Sequence, residues 1–130
     1  MLKRGLAGHH DDMIGRLRST VIDCPDPRAL AAFYCELLGM HVVVDEDDWV
    51  KIRTDSDAPA IAFQLAPDLR EPRWPDPERP QQFHLDVEVD DIEAAEQRVL
   101  AIGATRLPGE GKDFRVYADP AGHPFCLVWD

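Results

Sequence analysis

The sequence is poor in several features that would point to common functional classes. Its three cysteines, Cys24, Cys35 and Cys126, are odd in number and form no CxxC pair, so we expect no disulfide framework, no structural zinc site and a reducing, cytoplasmic location. Only 14 basic residues accompany 25 acidic ones, which gives a net charge of −11. Because that charge repels phosphate groups, nucleic acid and anionic membrane surfaces are excluded as partners.

Signatures of other catalytic machinery are missing as well. The chain contains no glycine-rich phosphate loop, no GxSxG and no HExxH, and no base adjoins Cys24 or Cys35 to activate a thiol nucleophile. No apolar run approaches the ~20 residues that a membrane-spanning helix needs. Residues 1–15 lack the apolar core of a signal peptide, and we expect a flexible tail whose HHDD stretch at 9–12 is solvated.

Two amphipathic helices are clearly marked, and the first lies in the stretch DPRALAAFYCELLGM. Asp26 is suited to cap its first turn, Pro27 to occupy the first helical position and Gly39 to end it. Its apolar residues recur at the spacing of one buried stripe: Leu30, Phe33, Tyr34, Leu37 and Leu38.

The second helix is predicted in DDIEAAEQRVLAIGA. Asp90, followed three residues later by Glu93, resembles a capping box, and Gly103 supplies the stop. The apolar stripe consists of Ile92, Ala95, Val99 and Ile102.

Alternation and β-branched or aromatic content predict short strands around both helices. We place them at about 16–24, 40–46, 48–54, 59–66, 81–89, 104–107, 112–118 and 123–129. Setting Gly39 over Gly103 superposes helix on helix and strand on strand, an internal repeat of about 64 residues. The sequence therefore predicts an α+β fold of two tandem βαβββ modules, about 16–66 and 81–130, joined by the proline-rich linker 67–80 and forming a curved mixed sheet around a cleft.

The strand QQFHLDVEV raises the question of what its polar face meets. Apolar residues alternate there with polar ones, so that one face is buried and His84 and Asp86 point the other way. By the same parity, Ile61, Phe63 and Leu65 of PAIAFQLAP face the helices, which leaves Ala60, Ala62 and Gln64 toward the cleft.

The segments CPDPRALAAFYCELLGM, FHLDVEVDDIEAA and DPAGHPFCLVW, in this order within paired βαβββ units, resemble the vicinal oxygen chelate superfamily. That superfamily includes glyoxalase I, bleomycin resistance proteins and extradiol dioxygenases. The combination RWPDPERPQQFHLDVEVDD with DPAGHPFCLV is similar to actinobacterial glyoxalase-like domains. The resemblance covers about residues 16–130 and implies a single glyoxalase-like domain with a cleft for a small molecule.

Metal-dependent members of this superfamily hold a divalent ion with four side chains, two from each module. The resemblance places those positions at Ser19, Gln64, His84 and Cys126. His84 is a proper ligand and Gln64 offers an amide oxygen, but serine is a poor ligand and Cys126 stands in place of the usual glutamate. Zinc, nickel, iron or manganese would be the ion, and with so incomplete a set we expect none to be tightly bound.

Three interpretations of His84 stay open: a general acid or base, a metal ligand, or a structural histidine hydrogen-bonded across the sheet. Asp86, two residues on, could orient the ring or act as a nearby anion. In KDFRVYADP, Phe114 and Val116 are predicted in the core, so that Arg115 and Tyr117 face the cleft and could grip a carboxylate or polarise a carbonyl. The alternative for Arg115 is a surface ion pair in a chain with excess acid.

Two tryptophans are further substrate-binding candidates, since their rings can stack on a planar molecule. Trp49 lies on a predicted strand, whereas Trp74, between prolines, is also suited to plug the joint between modules or to form a dimer contact. The resemblance implies a homodimer, whose cleft is sometimes completed by the partner.

Two functional classes follow from these observations. One is a glyoxalase-like enzyme of lyase, isomerase or dioxygenase-related chemistry, which would use His84 or a weakly held metal. The other is a metal-free protein of the bleomycin resistance type that sequesters a drug or metabolite, for which the net charge of −11 favours a cationic ligand.

Overall fold

The computed structural model describes residues 16–55, 57–81 and 83–130, and the predicted tail at 1–15 lies outside them. The first half of this part of the chain contains β1 (Ser19–Cys24), α1 (Pro27–Leu38), β2 (His41–Glu46), β3 (Trp49–Arg53) and β4 (Ala60–Leu65). The second half contains β5 (Leu85–Glu88), α2 (Ile92–Ala101), β6 (Thr105–Leu107), β7 (Phe114–Ala118) and β8 (Pro124–Val128). No helix among the described residues is long and apolar enough to cross a membrane.

Helix α1 begins and ends where the sequence predicts. The Asp26 side chain accepts a hydrogen bond from the Ala29 amide at 3.2 Å, which satisfies one of the free donors of the first turn. At the other end Gly39 has φ 68°, a left-handed conformation that glycine adopts without a Cβ clash. The stripe is buried at Leu30, Phe33 and Tyr34.

Helix α2 begins one residue later than predicted. The N-cap is Asp91, not Asp90, and its carboxylate accepts hydrogen bonds from the amides of Glu93 and Ala94 at 3.1 and 3.2 Å. Of the predicted stripe Val99 is buried, whereas Ile102 is 36% exposed and forms the C-cap. Both adjacent aspartates have a side chain suited to capping, and Asp91 is the one directly before the first helical residue, Ile92.

The strands form two four-stranded sheets of identical topology, ordered β1-β4-β3-β2 and β5-β8-β7-β6. In each sheet the first and last strands of the module pair in parallel and the other neighbours pair antiparallel. The duplicated βαβββ architecture predicted from the sequence is therefore confirmed. Residues 66–81, which join the modules, contain no helix or strand.

The hydrophobic core is shared by the two modules. Phe33 of α1 meets the edge of the Phe125 ring of β8 at 5.8 Å between centroids. Phe125 in turn stacks on Tyr117 of β7 at 5.6 Å, and Tyr34 stacks on Phe63 of β4 at the same distance. Burying each such ring contributes roughly 1.5–3 kcal/mol, so these contacts fix α1 of the first module against the sheet of the second.

A buried polar cluster also links the modules. The hydroxyl of Tyr34 donates to Asp119 at 2.6 Å, and the other carboxylate oxygen accepts from the amides of Ala121 and His123 at 2.9 and 3.0 Å. The His123 ring lies 2.7 Å from the carbonyl oxygen of Asp23 in β1. Asp119 and His123 are only 3% and 6% exposed, so each depends on these partners in place of water.

Candidate functional site

A pocket of about 630 Å³ opens on the face of the second sheet that points away from α2. Along β8 the residues Phe125 and Leu127 are fully buried in the core, whereas Cys126 and Val128, on the opposite face, line the pocket. The pocket is lined by Trp74, Gln81, His84, Asp86, Gly109, Asp113, Phe114, Val116, Cys126, Val128, Trp129 and Asp130.

His84, Asp86 and Cys126 converge at this pocket. The register of β5 on β8 places Asp86 opposite Cys126, and His84 precedes Asp86 by two residues, so its Nε2 lies 3.3 Å from an Asp86 carboxylate oxygen. One potential ligand atom from each of the three residues lies within 4.8 Å of the others. The predicted orientation of His84 is thus found in the structure, with 41% of its side chain exposed.

The thiol of Cys126 is the buried member of this cluster. Burial raises its pKa above the ordinary value, and the neighbouring negative charge of Asp86 raises it further. Cys126 is therefore a protonated thiol at neutral pH and not an activated nucleophile.

Aromatic rings form the walls of the pocket. The Trp74 indole donates to the carbonyl of Pro108 at 2.9 Å, which fixes the ring beside Gly109. A Cβ at Gly109 would lie 3.3 Å from the indole nitrogen, and its φ of 113° also excludes other residues. Phe114 and Trp129 complete the aromatic surface, and the amide of Trp129 donates to the Asp113 carbonyl at 3.1 Å.

The carboxylates of three aspartates line the pocket beside His84. They belong to Asp86, Asp113 and Asp130, and among the described residues no lysine or arginine lines the pocket. These carboxylates therefore have no lysine or arginine partner in the described pocket wall. The pocket would therefore attract a bound cation and repel a bound anion.

The predicted facing of β7 is wrong. Arg115 pairs with Glu93 and Glu96 of α2 at 2.9 and 3.2 Å, and the Tyr117 hydroxyl donates to Glu96 at 2.7 Å. Both side chains thus lie on the helix face, and Phe114 and Val116, predicted in the core, line the pocket instead. Neither Arg115 nor Tyr117 lines the pocket, although the Arg115 guanidinium lies 6.0 Å from the centre of the Trp129 ring.

Glu96 of α2 accepts hydrogen bonds from Arg106 and Tyr117 and pairs with Arg115. The hydroxyl of Tyr117 holds the pKa of Glu96 below its ordinary value, helped by the charges of Arg106 and Arg115. The pKa of Tyr117, the donor in this hydrogen bond, is shifted as well: burial and the bond to Glu96 raise it to about 12. The cluster fastens β7 and β6 to α2.

Glu96→Gln is expected to flatten the acid dependence of stability. A folded-state pKa below the unfolded value of 4.5 means that Glu96 stabilises the fold above that pH and that this contribution is lost as pH falls through the folded-state pKa. Urea denaturation at pH values from neutral to about 3 should show a smaller loss for Glu96→Gln than for the wild type. Glu36→Gln, at an exposed site on α1, should follow the wild-type curve; an unchanged slope in Glu96→Gln contradicts the assignment.

The remaining predicted residues lie on the first sheet. Gln64 is exposed on β4 and pairs with Asp23 and Trp49, and Ser19 pairs with Ala60 at the start of β1. Neither Ser19 nor Gln64, nor Trp49, lines the pocket that contains His84. Phe63 stacks on Tyr34 of α1, as its predicted facing requires. Ala60 and Ala62, predicted toward the cleft, are buried too, and Leu65 is 38% exposed.

The four positions that the superfamily uses for a metal therefore do not surround this pocket. His84 and Cys126 line it, and Gln64 and Ser19 do not. The donor set also disagrees with the family pattern, since it holds one imidazole, one thiol, one amide and one hydroxyl and no carboxylate at these positions.

Sequence reasoning missed much of the pocket wall: Gln81, Gly109, Asp113, Phe114, Val116, Val128, Trp129 and Asp130. One available signal was parity along β8, because Val128 lies two residues after Cys126 and shares its face. The residues before β7, in contrast, carry no periodicity that would have marked them.

The duplicated βαβββ fold and a pocket on the open face of one sheet define a two-module protein of the vicinal oxygen chelate class. The family model described as Glyoxalase-like domain matches residues 19–128. The chain belongs to this glyoxalase-like domain family. No curated protein sequence matches it.

Solved structures share the fold at low sequence identity. A glyoxalase/bleomycin resistance protein/dioxygenase family enzyme from Burkholderia phytofirmans PsJN has a TM-score of 0.69 at 18% identity, covering 88% of this chain and 98% of its own. The fosfomycin resistance protein FosX from Mesorhizobium loti has 0.65 at 15%, covering 89% and 92%. TnmS3, an antibiotic binding protein from Streptomyces sp. CB03234, has 0.57 at 18%, covering 89% and 96%.

Proposed function

We propose that this glyoxalase-like protein binds a small organic cation with a planar apolar part in the pocket of its second module. The observation that carries the proposal is the composition of the pocket. Aromatic rings and three carboxylates surround a space of about 630 Å³, and the part of the chain that the structure describes adds no lysine or arginine to its lining. A pocket of this volume takes a drug-sized molecule. The fold also occurs in a protein named for antibiotic binding.

Two kinds of contact would hold such a ligand. The faces of Trp74, Phe114 and Trp129 would stack on its planar part, and a cation over an aromatic face gains about 0.5–2 kcal/mol. Asp113 and Asp130 would attract its charge from the rim. Because the protein carries a net charge of −11, the wider field also draws a cation toward the pocket.

Catalysis is the second candidate, and the position of His84 favours it. The ring lines the pocket and Asp86 lies 3.3 Å away, so Asp86 could set the tautomer of an imidazole that moves a proton on the bound molecule. Such a protein would be a lyase or isomerase instead of a sequestering protein.

We also infer a homodimer in the cytosol. Exposed apolar side chains on the first sheet support self-association: Val21, Val42, Val43 and Leu65 are 38–46% exposed. The three cysteines are free, in keeping with a reducing compartment.

Titration with ethidium, a planar aromatic cation, is expected to quench the protein's tryptophan fluorescence, because two of the three tryptophans line the pocket. Fluorescein, planar but anionic, should bind at least about ten-fold more weakly, since about 1.4 kcal/mol of charge discrimination gives that ratio. Equal binding of the two dyes, or no binding, contradicts the proposal.

Matched variants locate the binding. Trp129→Leu and the double change Asp113→Asn with Asp130→Asn should each weaken ethidium binding by about five- to ten-fold. Trp49→Leu and Asp68→Asn, which change the same residue types outside the pocket, should leave ethidium binding unchanged.

Mass spectrometry of a ligand incubated with the protein separates sequestration from catalysis. A product that the wild type forms and His84→Gln does not, although His84→Gln still binds the ligand, favours the enzyme.

A further inference from the structure

The geometry points to a transition-metal site built within the second module by His84 Nε2, an Asp86 carboxylate oxygen and Cys126 Sγ. This set differs from the four family positions, because it draws no ligand from the first module and adds Asp86, which is not one of them. The three residues line the same pocket as the organic ligand proposed above, so the metal is tested with the ion alone.

The distances are close to those of a coordination sphere. With zinc bonds of about 2.0–2.1 Å to nitrogen and oxygen and about 2.3 Å to sulfur, ligand atoms at tetrahedral angles lie on the order of 3–4 Å apart. His84 Nε2 and the Asp86 oxygen are 3.3 Å apart already. All three ligand atoms lie within 4.8 Å of one another, so small rotations of the exposed His84 and Asp86 side chains would bring them to this spacing.

The backbone holds the three residues in place. Asp86 and Cys126 are partners across the parallel β5–β8 ladder, and alternate residues of one strand share a face, which brings His84 to the same side as Asp86. On the reverse face of β8, Phe125 and Leu127 are fully buried. Cys126 therefore cannot turn away from the pocket without breaking the core.

The chemistry of the three donors selects the ion. Imidazole nitrogen, thiolate sulfur and carboxylate oxygen together suit zinc better than magnesium or calcium, which prefer oxygen alone. Zinc binding would displace the proton of the Cys126 thiol. An ion held by that thiolate, one carboxylate and one neutral imidazole has no net charge at the site, so its charge is balanced locally. Three protein ligands leave a fourth position open toward the pocket, as in zinc sites that bind water or a substrate oxygen.

Among the described residues these three form the group of histidine, cysteine and acidic side chains with metal-binding proximity. The sequence outside that part of the chain offers a competing set, since His9 and His10 precede two aspartates. The test therefore uses the full chain carrying His9→Ala and His10→Ala, so that any remaining tight binding has to come from elsewhere.

Zinc titrated into this chain against a chromophoric chelator is expected to bind at one equivalent. Cobalt(II) in its place should give a near-ultraviolet thiolate-to-cobalt charge-transfer band. Cys126→Ser should abolish that band. His84→Ala and Asp86→Asn should each weaken zinc binding by at least about ten-fold, since even the loss of an outer-shell partner of a metal ligand costs about 10- to 100-fold. Cys35→Ser, His41→Ala and Asp90→Asn are the matched controls and should leave both readouts unchanged.

Circular dichroism and thermal denaturation check that each variant is folded. Absence of stoichiometric zinc in the folded chain overturns the site, as does a charge-transfer band that survives Cys126→Ser or is lost in Cys35→Ser. These readouts use the ion alone, so they fail or succeed separately from the dye titrations, which are run on chelator-treated protein.

Discussion

Asp119→Ala is expected to lower the free energy of unfolding by about 3–5 kcal/mol, because it removes the acceptor of three hydrogen bonds in the buried contact between modules. The Tyr34 hydroxyl and the amides of Ala121 and His123 would all lose their partner. Each buried donor left without an acceptor costs about 1–3 kcal/mol. Urea denaturation followed by circular dichroism measures the loss.

Two milder substitutions separate the contribution of the Asp119 hydrogen bonds to stability from that of its charge. Burial raises the pKa of Asp119, and the donors from Tyr34 and the turn oppose that effect. A neutral amide of the same shape should therefore be tolerated, and we expect about 1–2 kcal/mol for Asp119→Asn. Tyr34→Phe, which deletes one donor and keeps the ring stacked on Phe63, should cost about 1–3 kcal/mol.

The control for this series is Asp68→Ala, at an exposed turn in the segment between the modules. A surface change of this kind stays within about 0.5 kcal/mol of the wild type. If Asp119→Ala also stayed within that range, the contact would not hold the modules together.

The elements that local chemistry decides could be predicted from the sequence. Asp26, Pro27 and Gly39 set the limits of α1 through hydrogen bonds and backbone angles that involve only neighbouring residues. The repeat was visible because the same local rules act twice. The cap of α2 was misplaced by one residue, since adjacent aspartates offer the same chemistry.

The site could be predicted only in part because alternation does not say which face of a strand is the core. In β7 both faces are largely apolar or long-stemmed: Phe114 and Val116 on one side, Arg115 and Tyr117 on the other. The polar ends of Arg115 and Tyr117 reach Glu96 of α2, and the Tyr117 ring stacks on Phe125 in the core. A ligand pocket lined by apolar residues has the same pattern as a core, so local sequence could not separate them.

His84 and Asp86 were oriented correctly for a related reason. Their strand alternates strictly between polar and apolar residues, and only one face of it is compatible with burial. The closeness of Cys126 to this pair depends instead on the β5–β8 register. Register between strands about 40 residues apart is set by the whole fold, and no local pattern in the sequence contains it.

Phe125→Ala is expected to lower the free energy of unfolding by about 3–5 kcal/mol, and Phe114→Ala by about 1 kcal/mol or less. Phe125 is fully buried between Phe33 and Tyr117, and its removal leaves a cavity in the core shared by the two modules. Phe114 is half-buried and faces the pocket, where water can replace the lost ring.

The two phenylalanines are therefore a matched pair that tests which face of the second sheet is the core. Phe114→Ala should reduce ethidium binding while leaving stability close to the wild type, whereas Phe125→Leu should cost about 1 kcal/mol and keep binding intact. Urea denaturation and the dye titration give both quantities for each variant. Equal losses of stability at the two positions would mean that Phe114 belongs to the core, as its sequence pattern alone suggests, and would remove the pocket wall on which ligand binding depends.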